Sequence, residues 1–479
     1  MVYSTVKELI EALKPFATVM TDRVTASRDL PPEAVDALAH TAVFGADPDV
    51  RGTARWVVLS LASAAGIRFA SIHDLYMAMG RGDTGGFTVP AINVRAMAYD
   101  TGRAVIRAAK KLNAGAFILE IARSEIGYTE QRPHEYAAVM LAAAMREGFR
   151  GFLFLQGDHV QTNAKKYNSP ERDKEIEALR TLIREEMAAG FYNIDIDTST
   201  LVDLQKPTLE EQQQVNCELA ADFAQFIRRH EPPGVTVSVG GEIGEVGGKN
   251  STVEELHAFM NGFRAALERR GRDLTGISKI SVQTGTAHGG FIDAQGKLLT
   301  DVKIDLETLR ELSRVAREVY GLGGAVQHGA STLPAEAFDA FPRVGACEIH
   351  LATNFQNIVY EGIPPGLRDE MYAWTRQHAG EERKPKDTEE QFIYKARKKA
   401  IGPFKRQLWT LAPAERERLG AALEEQFTFL MTKLMVRDTT EAVRRFVTAP
   451  EMTLDRDAAI VAAGGKVTAA ERKAEGLAD

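Results

Sequence analysis

The chain has 479 residues, 44% of them apolar and 26% charged, with a formal net charge of −7. That is the make-up of a soluble globular enzyme, and the acidic balance argues against a general nucleic-acid binder, so an anionic ligand needs a locally basic or amide-lined site. Two cysteines, Cys217 and Cys347, exclude a disulfide framework and a cysteine-rich zinc site and suit a reducing compartment.

The first residues, MVYSTVKELIEALKPFATVM, read as an amphipathic helix and lack the basic segment, apolar core and cleavage site of a signal peptide. The longest apolar run, WVVLSLASAAGI between Arg55 and Arg68, is too short to span a bilayer. A cytoplasmic protein without membrane association is expected. Residues 1 to about 70 are helix-patterned, with Pro31-Pro32 marking a helix start. From about residue 86 short β-rich runs alternate with longer stretches of helical period.

Eight strands are predicted: FTVPAINV (87–94), AFILEIA (116–122), GFLFLQGDH (151–159), YNIDIDTS (192–199), VTVSVGGEIG (235–244), KISVQTGTAHG (279–289), GAVQHGAS (324–331) and CEIHLATN (347–354). Eight strands with intervening helices point to an α/β fold, a (β/α)8 TIM barrel, and the span of roughly 270–290 residues matches its usual size. A doubly wound open sheet is the alternative. From about residue 365 the chain is again helical and highly charged. The expected organisation is a helical extension (1–74), a barrel catalytic domain (75–365) and a charged helical extension (366–479).

A barrel places its chemistry at the C-terminal ends of its strands. Three of the ten histidines, His159, His288 and His328, close the third, sixth and seventh predicted strands, and Glu242 closes the fifth. Asp195 and Asp197 fall on the same rim from the fourth. Three imidazoles with a carboxylate in reach make a sensible open Zn²⁺ site, with a position left for water or substrate. Asp158, next to His159, should point away from a metal ligand along a regular strand. It can orient a ligand, or move a proton to or from a substrate hydroxyl. Backbone amides after late barrel strands commonly cradle a phosphate; here Gly289-Gly290, Gly329-Ala330-Ser331 and Thr353-Asn354 occupy those loops.

With VPAINV, GDH, DIDTS, GGEIGEVGG, GTAHG and HGAS in that order, the chain resembles the class II, zinc-dependent fructose-bisphosphate and ketose-bisphosphate aldolases over roughly residues 75–360. The resemblance implies Asp158 as the proton-transfer residue, His159, His288 and His328 as zinc ligands, and Glu242 as an alternative or second metal ligand. It implies substrate or phosphate contacts at Asn93, Asp197, Gly289, Gly329, Ser331, His350 and Thr353. It also implies a monovalent cation (Na⁺ or K⁺), a homo-oligomer (dimer or tetramer), and a place in glycolysis or related carbohydrate metabolism. The expected reaction is cleavage of a phosphorylated ketose to dihydroxyacetone phosphate and an aldehyde.

Two departures stand out. Where the family shows Lys-Ile-Asn-Ile-Asp-Thr-Asp after the eighth strand, this chain has Glu348-Ile349-His350-Leu351-Ala352-Thr353-Asn354, so His350 replaces an asparagine that contacts the ketone-bearing fragment. The loop after the fifth strand, which in the family carries acidic residues, has Lys249-Asn250, with Glu245 as a substitute second acid. LEIARSE and GDHVQTN are also similar to the tagatose-bisphosphate aldolase Z-type subunits, which are not thought to be catalytic alone. Alternative readings are therefore a non-catalytic aldolase-like subunit or a zinc hydrolase. A Schiff-base aldolase would need a strand lysine at the barrel mouth, and Lys279 starts its strand at the other end. The C-terminal segment is expected to pack between subunits and to lend a basic side chain from YKARKKAIGPFKR to the substrate's far phosphate.

Overall fold

A computed structural model describes residues 1–244, 249–285, 293, 295, 297, 304–330, 333–452 and 455–466. Eight parallel strands close into a barrel: β1 (Val89–Asn93), β2 (Ile118–Ala122), β3 (Gly151–Gln161), β4 (Asn193–Asp197), β5 (Ser238–Glu242), β6 (Lys279–Val282), β7 (Ala325–Gln327) and β8 (Glu348–Leu351). Each pairs with its neighbour in sequence, and β8 pairs with β1 to close the ring. The strands are apolar runs because helices cover their outer faces. Ile118, Leu119 and Ile121 of β2 are all fully buried, and so is Glu120, in the same strand.

The connecting helices are specified locally. Leu209–His230 and Val253–Arg270 each begin with a capping box, Thr208 with Glu211 and Thr252 with Glu255, which satisfies amide donors that the first turn leaves open. Helix Pro32–Phe44 starts where the proline pair predicts.

The N-terminal region is less uniform than its helical pattern suggests. It contains an antiparallel hairpin, Ala17–Val19 with Val24–Ala26, and a strand, Ile67–Phe69, that pairs in parallel with the start of β3. Three-residue strands bury too little to leave a period in the sequence. After Phe69 the chain turns under the barrel. Helix His73–Arg81 plugs its N-terminal end, with Tyr76 fully buried and its hydroxyl donating to the Glu348 carboxylate.

The C-terminal helix Pro413–Lys433 lies on helix Ala98–Leu112, pinned by Arg416 on Asp100 (2.9 and 3.0 Å) and by Arg107 on Glu424. Trp409 packs among His40, Phe44 and Tyr99, so N- and C-terminal regions meet on the barrel's flank.

Candidate active site

The site is built around an irregularity in β3. Between Gly157 and Val160 the register against β4 shifts by one residue, and His159 adopts a left-handed backbone (φ 40°). A bulge of this kind re-aims side chains. It corrects the expectation that Asp158 and His159 point to opposite faces: Asp158 Oδ1 lies 3.9 Å from His159 Nε2, and both residues line one cavity. Gly157 is required just before the bulge, since a Cβ there would sit 2.5 Å from a Glu186 carboxylate oxygen in the helix behind.

Around that corner three further strands contribute. Asp197 of β4 lies 3.0 Å from His159 Nδ1, Glu242 of β5 lies 3.5 Å from the same nitrogen, and the His328 ring centroid at the end of β7 is 4.4 Å from that of His159. Asp197 is itself held by Ser199 Oγ (2.7 Å) and Gln161 Nε2 (2.6 Å). Ser281 Oγ sits 2.9 Å from His328 Nε2. Candidate ligand atoms of Asp158, His159 and His328 all lie within 4.8 Å of one another, and so do those of His159, Asp197 and Glu242. Nitrogen and carboxylate donors in this mix suit Zn²⁺, and a carboxylate behind a ligating histidine fixes its tautomer and orientation. The residues present therefore fit the metal.

Electrostatics say the same. Burial, reinforced by Asp197, pushes the Glu242 carboxyl well up. Burial alone would lower His159, but Asp158, Asp197 and Glu242 outweigh it and raise the imidazole well above its usual range. A pocket with such an excess of buried carboxylate is one that a cation stabilises.

Beneath lies a second polar layer. His350 of β8 stacks on His328 with centroids 4.1 Å apart. Its Nδ1 is 3.0 Å from Glu120 and 3.1 Å from Asp158, and its Nε2 is 2.7 Å from Glu348. Burial and then Asp158 push Glu120 up to about 7. Glu348, which burial alone would raise, is held at about 2 by Lys279 and His350. The Lys279 ammonium lies 3.0 Å from Asp195 and donates to Gln156 Oε1 (2.8 Å), and despite its burial the Asp195 and Glu348 carboxylates raise its pKa. Engaged by these carboxylates, Lys279 is not among the residues that line the cavity, where a Schiff-base lysine would have to stand.

The cavity above has a volume of about 800 Å³ and is lined by Glu120, Asp158, His159, His328, Gly329, His350 and Thr353, and by Arg95, Arg123, Lys166, Lys384, Lys395 and Lys398 on its walls. Arg95 and Arg123 are braced by Glu125 and Glu175. Lys398 lies 5.9 Å from the centroid of the Tyr128 ring, and burial together with Arg95 lowers its pKa. Lys384, Lys395 and Lys398 come from the C-terminal segment, which here packs against its own barrel.

Of the other expected positions, Gly329 (φ 68°) and Thr353, first residue of helix Thr353–Gly362, reach the cavity. Asn93 is buried, donating to Glu125 (2.6 Å) and accepting from Arg95 (3.1 Å). Asp197, expected to touch substrate, is buried and faces His159. His288, Gly289, Ser331 and Glu245 lie outside the described residues. The sequence reading does not single out Glu120 or the wall residues Arg95, Arg123, Lys166 and Lys384, whereas Lys395 and Lys398 fall within the basic segment it names. A lone charge inside an apolar strand, as in FILEIA, was the available signal for Glu120.

The family described as fructose-bisphosphate aldolase class-II matches residues 76–410. The chain belongs to the class-II fructose-bisphosphate aldolase family. The match runs through the basic segment that lines the cavity, and membership supports carbon–carbon lyase chemistry at a site of the typically metal-dependent kind. Among solved structures, a probable tagatose 6 phosphate kinase from Sinorhizobium meliloti 1021 shares 18% identity, covers 82% of this chain and 100% of its own, and has a TM-score of 0.52. A fructose-bisphosphate aldolase from Campylobacter jejuni shares 18% identity over 78% of this chain and 97% of its own, with a TM-score of 0.46. Among the described residues no helix is long and apolar enough to cross a membrane.

Proposed function

We propose that this aldolase-family chain reversibly cleaves a phosphorylated ketose, fructose 1,6-bisphosphate or a similar ketose bisphosphate, to dihydroxyacetone phosphate and an aldehyde, with Zn²⁺ as its metal. The observation that carries the reading is the meeting of Asp158 and His159 of β3 with His328 after β7 and Glu242 of β5, beside a cavity walled by basic side chains.

His159 and His328, with Glu242 as the alternative ligand, would hold the metal, and His288 is the third histidine expected from sequence. When bound there, Zn²⁺ supplies Lewis-acid polarisation of substrate oxygens. Asp158, beside the ligands, takes the proton of the C4 hydroxyl as the C3–C4 bond breaks, and returns it in condensation. The electron pair stays on the ketone fragment, whose C3 is protonated by a second acid, assigned from sequence to Glu245. Gly329 and Thr353 bind the phosphate of the ketone half, at the end of the cavity nearest β7 and β8. Lys398 and Arg95, which line the same cavity, meet the phosphate of the aldehyde half as charge-assisted donors. Residues 75–365 are assigned as the catalytic domain, with 1–74 and 366–479 as extensions, although the family match takes in part of the latter.

A coupled assay for triose phosphate on fructose, tagatose and sedoheptulose bisphosphates tests the reading. Triose phosphate from at least one of them is expected, and none from any of them would defeat it.

A further inference from the structure

His350 stands where the family resemblance places an asparagine that touches substrate, yet its contacts here are with carboxylates. One ring edge meets Glu348 (Nε2, 2.7 Å), and the other meets Glu120 (Nδ1, 3.0 Å) and Asp158 (Nδ1, 3.1 Å). Two of these partners are themselves anchored. Glu348 is held from below by Lys279 and the Tyr76 hydroxyl, and Glu120 accepts from Gln156 Nε2 at 3.0 Å. The third, Asp158, sits on the bulge of β3, paired with Ala122 of β2 on one side but out of register with β4 on the other. An imidazole presents nitrogens on two edges of a rigid ring, so an anchor on one edge sets the position of whatever meets the other. A carboxamide carries both polar atoms on one rotatable end and cannot span the same gap.

We infer that His350 is a positioning residue: wedged against Glu348 and Glu120, it holds the Asp158 carboxylate in the orientation for proton transfer with the substrate hydroxyl. In this chain a residue that would contact the ketone fragment has become a strut for the base. The inference rests on the aldol-cleavage reading.

The test compares wild type, His350→Asn, Asp158→Asn and the double variant, each checked for melting temperature and bound metal. Two reactions are followed: ketose bisphosphate cleavage, and solvent-deuterium exchange into dihydroxyacetone phosphate, which does not need Asp158. His350→Asn should lower kcat for cleavage about 10–100-fold, the scale on which such supporting contacts act. KM, metal content and deuterium exchange should stay at wild-type values. The double variant should be no slower than Asp158→Asn alone, because a residue acting only through Asp158 has nothing left to position. If His350→Asn fails to fold, Glu120→Gln replaces the carboxyl of one anchor with little change of shape and should give the same pattern. Wild-type kcat in His350→Asn, multiplying effects in the double variant, or parallel loss of cleavage and exchange would overturn the inference. A wild type that neither cleaves nor exchanges would instead overturn the aldol reading beneath it.

Discussion

The lower and upper halves of the barrel interior are both polar, and they handle charge in opposite ways. Below, Lys279 lies among Asp195, Gln156 and Glu348, the Tyr76 hydroxyl caps Glu348, and a helix closes the barrel's end. Above, Asp158 and the imidazoles of His159, His328 and His350 line a cavity of about 800 Å³ whose cations sit on the walls, with Asp197 and Glu242 buried behind His159. The lower half carries its own counter-ion and is sealed; the upper half has carboxylate to spare and is open. Buried charge that is matched internally is structure, and buried charge left for a visitor is chemistry.

Breaking the upper half should cost activity first. Removing the metal with a chelator should lower triose-phosphate release on the order of 10³-fold or more, since Lewis-acid help is worth several kcal/mol, and added Zn²⁺ should restore it. Asp158→Asn should lower kcat by about 10²–10⁴-fold with substrate affinity kept, the range for loss of a positioned base.

The lower half should answer in stability. Lys279→Met leaves Asp195 and Glu348 without their cation and should cost about 3–5 kcal/mol in chemical denaturation, as broken buried pairs do. The folded-state pKa of Glu348, about 2, lies below its ordinary 4.5, so its contribution is present above about pH 4.5 and fades as pH falls toward 2. Acid denaturation of wild type and Lys279→Met should therefore converge at low pH.

Much of this contrast is legible in the sequence, but unevenly. The eight strands stand out because apolar runs alternate with helical period, and His159, His328 and Glu242 stand out because each ends such a run. Strand ends were overdrawn: VTVSVGGEIG yields only Ser238–Glu242. A bulge leaves no compositional trace, so the shared facing of Asp158 and His159 could not be foreseen. Glu120 and Lys279 look alike in sequence, single charges in strands, and only a closed barrel shows that both turn inward and which of them is matched. Lys398 lies about 240 residues along from Asp158; the charge of YKARKKAIGPFKR marks the segment, but chain pattern does not say which of its cations reaches the cavity. Its effect should be the smallest: Lys398→Ala should raise KM for a ketose bisphosphate about 10-fold, the worth of one charge-assisted contact, and leave a monophosphate unchanged.

The most direct test of the central claim joins elemental analysis of the purified chain to the triose-phosphate assay, with and without chelator. About one equivalent of Zn²⁺ per chain, with cleavage that stops on chelation and returns with Zn²⁺, is the predicted result. A chain that binds no metal, or that cleaves equally well without it, would contradict the account.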